Sequence, residues 1–153
     1  MRIGIFYDSM SGNTEEVALI IQETLQSLGE NPVIGNLRAT LGNSTLGKNT
    51  EMYDILYLGS WTCDFGEMTD VLDDFIYFEK PLEKAKHIFS FGTGETQWGM
   101  ENFCGAVAKI DSLLQESDMY EVEGIKVEQF PSSEKVISSI KEWTNKTYKE
   151  SLK

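Results

Sequence analysis

Short apolar runs alternate with helix-periodic stretches along nearly the whole chain, and this alternation restricts the fold more than any other feature of the sequence. Four runs bounded by turn residues predict strands at 3–7, 55–58 (opened by Tyr53-Asp54), 88–91 and 125–130, with a weaker fifth at 32–37. Three are almost continuously apolar, as strands of a sheet covered on both faces must be. Between them, Val17, Ile20, Ile21, Thr24, Leu25 and Leu28 recur at helical spacing, as do Val71, Leu72, Phe75, Ile76 and Phe78. Phe103, Val107, Ile110, Leu113 and Leu114 form a third stripe. Val136, Ile137, Ile140 and Trp143 form a fourth, opened by Ser132-Ser133-Glu134 after Pro131. Parallel strands need crossovers, so the pattern predicts an α/β doubly wound sandwich: a parallel sheet with helices on both faces. Residues 38–50 lack periodicity and read as a loop with at most a short helix.

The 153 residues are one domain's worth of chain, 1–153, long enough to bury a core without staples. Two cysteines and one histidine cannot make a disulfide framework or a zinc site, so no metal is expected. The first apolar run is too short for a signal peptide, and a cytoplasmic protein is expected. Asp and Glu total 25 against 13 Lys and Arg, a net charge of −12. That charge repels phosphate backbones and anionic lipid, so nucleic acid and membrane are excluded as expected partners in favour of a basic protein.

In open α/β sheets ligands bind beyond the carboxyl ends of the strands, which directs attention to three strand-to-helix turns. The first, Asp8-Ser9-Met10-Ser11-Gly12-Asn13-Thr14, offers hydroxyls, a glycine and a helix start with free N–H groups, but no lysine or arginine. Such neutral dipoles suit a permanently held phosphate monoester. The plainer alternative is a simple helix cap by Ser11 or Asn13. The second turn, 59–67, and the third, 92–102, carry Trp61 and Trp98 beside glycines and hydroxyls. Two such tryptophans at one end of a sheet could hold a flat aromatic ligand, or each could merely roof the core. The stretch Gly42 to Asn49 has G-x-x-x-x-G-K spacing, but it precedes a strand and ends in Asn49, so it is no nucleotide-triphosphate loop.

At these residues the chain resembles the flavodoxins, small acidic FMN-binding electron carriers. Ser9-Met10-Ser11-Gly12-Asn13-Thr14 is similar to their FMN phosphate loop. Gly59-Ser60-Trp61-Thr62 with Gly66-Glu67 is similar to their first flavin loop. Phe91-Gly92-Thr93-Gly94-Glu95, followed by Phe103-Cys104-Gly105-Ala106-Val107, resembles the second loop and the helix behind it. No long insertion interrupts the final strand, as in the short-chain subgroup. The resemblance implies a five-stranded parallel sheet in the order 2-1-3-4-5 and non-covalent FMN. It implies FMN contacts from Ser9, Met10, Ser11, Gly12, Asn13, Thr14, Ser60, Trp61, Thr62, Cys63, Asp64, Gly66, Thr93, Gly94, Glu95 and Trp98. It further implies a monomeric, low-potential electron carrier, without catalytic residues of its own, between a basic flavodoxin-reductase-type donor and basic acceptor enzymes. The chain departs from the family where Cys63 holds the usual tryptophan position, and Trp98 matches the second-loop aromatic only if Gly99 and Met100 are a small insertion. Trp61, Met10 and Cys63 are the candidates for the other ring face, which could also be left largely bare.

Three rivals share parts of this pattern. A phosphoacceptor receiver domain needs an aspartate after its third strand and a lysine after its fifth, where this chain has Gly59-Ser60 and Gln129-Phe130. A flavodoxin-like FMN activator of manganese-dependent ribonucleotide reductase is favoured by the glycine-rich 92–99 loop and opposed by length and by the match at 103–107. An FMN-dependent quinone or azo reductase usually needs a longer chain and a substrate pocket beside the flavin. His87, Cys104 and Asp73-Asp74 read as surface, packing and solvated face respectively.

Overall fold

β1, Ile3–Asp8, has no exposed side chain and lies inside the sheet, which is why its sequence is apolar without alternation. The computed structural model describes residues 1–38, 52–63, 66–94, 103–128 and 133–153. Its further elements are α1 (Asn13–Ser27), β2 (Val33–Asn36), β3 (Tyr53–Cys63), β4 (Glu67–Met68), α2 (Asp70–Glu79), β5 (Ala85–Gly94), α3 (Gly105–Glu116), β6 (Ile125–Glu128) and α4 (Glu134–Ser151).

Five strands run parallel in the order β2-β1-β3-β5-β6, with registers such as Tyr7 opposite Asn36, Asp8 opposite Ser60 and Trp61 opposite Thr93. This is the expected order. A sixth strand corrects the expected count: β4 pairs antiparallel with the far end of β3, Thr62 opposite Met68 and Cys63 opposite Glu67. The reason lies in β3, whose eleven residues run on through polar positions and leave ladder groups that the returning chain satisfies.

Alternate residues face two separate cores. Ile5, Tyr7, Tyr57, Phe89 and Phe91 pack under α1 and α4, while Phe6, Leu56, Leu58 and Ile88 pack under α2 and α3. Thr69 caps α2 by accepting from Leu72 N, and Ser133 caps α4 by accepting from Val136 N. The expected stripe on α2 is shorter than its sequence implies, because Phe78 is 73% exposed. Burial on that helix stops with Ile76, and Tyr77 and Phe78 project to solvent, edge to face at 4.9 Å. No helix among the described residues is long and apolar enough to cross a membrane.

Candidate functional site

β1 delivers the chain to the carboxyl edge of the sheet and α1 starts five residues later, so the turn between them is sharp. Gly12 makes it at φ 95°, a left-handed conformation that disfavours any side chain. The helix opens without a side-chain cap on that residue, and neither Ser11 nor Asn13 supplies one. Ser9 does the local work: its buried hydroxyl accepts from Gly12 N and Glu15 N, both at 3.2 Å. Glu16 N reaches Gly12 O, which leaves the amides of Asn13 and Thr14 without an acceptor among the described residues. Buried Thr14 Oγ1 lies 2.8 Å from Thr93 Oγ1, tying the first turn to the end of β5. Each hydroxyl has one hydrogen and two lone pairs, so this pair can still bond a third oxygen. Met10 and Ser11 lie on the exposed rim.

A second network braces this turn. Arg38 grips the fully buried Asp8 carboxylate with Nε at 2.8 Å and Nη2 at 3.0 Å. Asn36 Oδ1 accepts from Ser9 N and Arg38 N, and Asn36 Nδ2 donates to Ser9 O. Neither residue was singled out by sequence reasoning; the available signal was an aspartate ending an all-apolar strand. Because the Arg38 fork is committed to Asp8, the donors at residues 9–14 remain neutral. Helix-start amides, a hydroxyl pair and no cation fit a phosphate monoester.

The other two turns meet beside it. Ser60 is buried on the opposite face, its hydroxyl donating to Trp61 O and lying 3.3 Å from Thr69 Oγ1. Thr62 Oγ1 accepts from Ala106 N, so the start of α3 holds the end of β3. A Cβ on Gly105 would stand 2.2 Å from Gly66 O, and one on Gly94 would stand 2.8 Å from Cys104 N. Gly66 itself turns at φ 108°. Trp61 Nε1 is buried and has no acceptor among the described residues. Asp64, Glu95, Trp98 and the side chain of Cys63 lie outside the described residues.

Cys104 is fully buried at φ 50°, with Sγ near Gly92 O and Val127 O, and burial pushes its thiol up to about 12, so it stays protonated and acts as packing. His87 Nδ1 lies 2.8 Å from Glu121 at the other end of β5. Asp70, Asp73 and Asp74 are exposed on the first turns of α2, where carboxylates favour the helix N-terminus, and Glu67 lies 3.5 Å from Lys109. Among the described residues no His, Cys, Asp and Glu side chains gather as a metal site.

A sheet of this order, carrying a neutral anion cradle where its first helix starts and the carboxyl ends of β3 and β5 on the same rim, defines a doubly wound protein that takes a phosphorylated ligand at its carboxyl edge. Comparison with known proteins narrows this class. The profile of the flavodoxin family matches residues 5–143, and the chain belongs to that family. Probable flavodoxin 1 of Bacillus subtilis (strain 168) is 30% identical over 141 residues, 88% of this chain and 82% of the relative. Flavodoxin 1 of Escherichia coli (strain K12) is 32% identical over 113 residues, 73% of this chain but only 60% of that longer protein. A short-chain flavodoxin associated with a non-canonical PDU bacterial microcompartment superposes with a TM-score of 0.80 at 23% identity, each chain covered to 99%. At that identity the likeness is one of fold.

Proposed function

We propose that this chain is an electron carrier that holds FMN non-covalently at the carboxyl edge of its sheet and exchanges electrons with other proteins without turning over a substrate of its own. The observation that carries the reading is the cradle: amides at Asn13 and Thr14 with no acceptor among the described residues, and the buried Thr14–Thr93 hydroxyl pair, with no cation among residues 9–14. Bound FMN supplies the one- and two-electron chemistry. The protein binds its phosphate end through the first turn and borders the rest with the loops that Thr62, Gly66 and Gly94 shape. Exposed Asp70, Asp73 and Asp74 disfavour added negative charge nearby, which supports a low potential, and they present an acidic face to basic donor and acceptor proteins. The working form is a monomer in the cytoplasm. The test is the visible spectrum of the purified protein, followed by titration of the flavin-free protein with FMN and riboflavin. Flavin absorption bands and far tighter binding of FMN than riboflavin are expected; equal affinity for the two overturns the phosphate assignment.

A further inference from the structure

We propose that Trp61 is a hydrogen-bond donor to the FMN phosphate, its indole N–H completing the cation-free cradle, instead of serving as a stacking face for the ring. The proposal rests on the FMN reading above and goes further by giving one side chain a role in telling FMN from riboflavin. Along β3, Ile55 and Tyr57 face the core beneath α1 and α4, and the space where a Gly59 side chain would stand is filled by the Phe91 ring of the same core. Trp61 is the next residue on that face. Its register partner Thr93 shares the face, and Thr93 reaches across to Thr14 at 2.8 Å. On the neighbouring strand Asp8 stands opposite Ser60, so the chain beside Trp61 is the start of the phosphate turn at Ser9. The indole therefore rises from the sheet where α1 begins.

Its nitrogen is buried, and it has no acceptor among the described residues. A buried N–H left unpaired is costly and uncommon. The contrast within the chain is direct, because Trp143 Nε1 donates to Glu123 O at 2.9 Å. On this face the register partner Thr93 and the start of α1 offer donors: the hydroxyls of Thr93 and Thr14, and the amides of Asn13 and Thr14, which have no acceptor among the described residues. The three terminal oxygens of a phosphate monoester can together accept from the amides, from the one hydroxyl hydrogen that the Thr14–Thr93 bond leaves over, and from an indole N–H, which brings no charge. The roles of Ser60 and Thr62 fit this division, since both turn to the opposite face and bond within the protein.

The decisive experiment compares FMN with riboflavin, which share everything except the phosphate. With the protein labelled at its tryptophan indole nitrogens and the resonances assigned sequentially, the Trp61 N–H proton should move downfield in the FMN complex and stay near its flavin-free position in the riboflavin complex. Equal movement in both complexes, or none in either, overturns the proposal. Trp61→Phe keeps an aromatic ring, smaller than the indole, and removes the donor. It should weaken FMN on the order of tenfold or more, the loss of one bond to a charged acceptor, while changing riboflavin affinity by less than roughly twofold. Parallel loss of both ligands, or of neither, likewise overturns it. A parent protein that binds no FMN overturns the underlying cofactor reading, a result that either outcome for Trp61 leaves separate.

Discussion

Asp8 holds a carboxylate with no exposed surface one residue before the phosphate turn, and Arg38 is what makes that burial tolerable. Removing only the arginine strands a buried charge, whereas removing both partners does not. Arg38→Met should therefore lower unfolding free energy by about 3 kcal/mol, and the double variant Asp8→Ala with Arg38→Met should recover most of it. Chemical denaturation of the single and double variants checks this; equal loss in both would mean the pair contributes nothing beyond packing. Thr14 tests the cradle itself. Thr14→Val removes a hydroxyl from the anion site and leaves Thr93 without its partner, so FMN should dissociate about tenfold more readily or worse, given roughly 1.5–3 kcal/mol for a bond to a charged oxygen. Riboflavin titrations of the same variant should show little change.

Where α3, β5 and the chain entering β6 meet, a single carboxyl joins them: Asp111 accepts from Ser90 Oγ at 2.6 Å and from Gly124 N at 2.9 Å. Burial pushes this carboxyl above the usual range, and the two bonds pull the other way. The folded protein thus binds that proton more tightly than the unfolded chain. Its contribution to stability is full below the unfolded value of about 3.9 and is lost as pH rises through the folded value. The stability of the parent relative to Asp111→Asn should accordingly decline as pH rises from about 4; urea midpoints that diverge in the opposite sense would refute this. At the other end of α3, Gly105→Ala drives a methyl into the Gly66 backbone and should cost about 1–3 kcal/mol, measured as a lower unfolding midpoint, with weaker FMN binding. Much of the fold was legible from residues: the apolar runs gave the sheet order's raw material, and Ser9 to Thr14 marked the turn between β1 and α1. The short β4 was not, because two residues carry no periodicity. Asp8 with Arg38 was not, because pairing across neighbouring strands depends on register. Phe78 misled because helical spacing says which face a residue shares, not where the covering sheet ends.

Across the whole molecule the charge of −12 is unevenly placed, with Asp70, Asp73 and Asp74 exposed on the helix that starts at the ligand edge. Exposed charges act over a Debye length of about 8–10 Å at moderate salt. Electron transfer with a basic partner should therefore slow as ionic strength rises, and replacing all three aspartates by asparagine should slow association while leaving FMN affinity nearly unchanged. Stopped-flow rates against salt concentration decide it: a flat profile, or a triple variant that associates like the parent, moves the docking face elsewhere. The two cores contain the strands and helices, and the ligand edge contains the turns, so substitutions in one set leave the other largely intact. The backbone contact of Gly105 with Gly66, together with the bond from Ala106 N to Thr62, sets a limit on that independence. Thr62 and Gly66 on one side and Gly105 and Ala106 on the other are a matched set. In a chimaera that borrows its rim from a relative, either side transplanted alone meets a foreign surface behind it, whereas the two transplanted together carry their own fit, so recombination within this family should inherit them as one block.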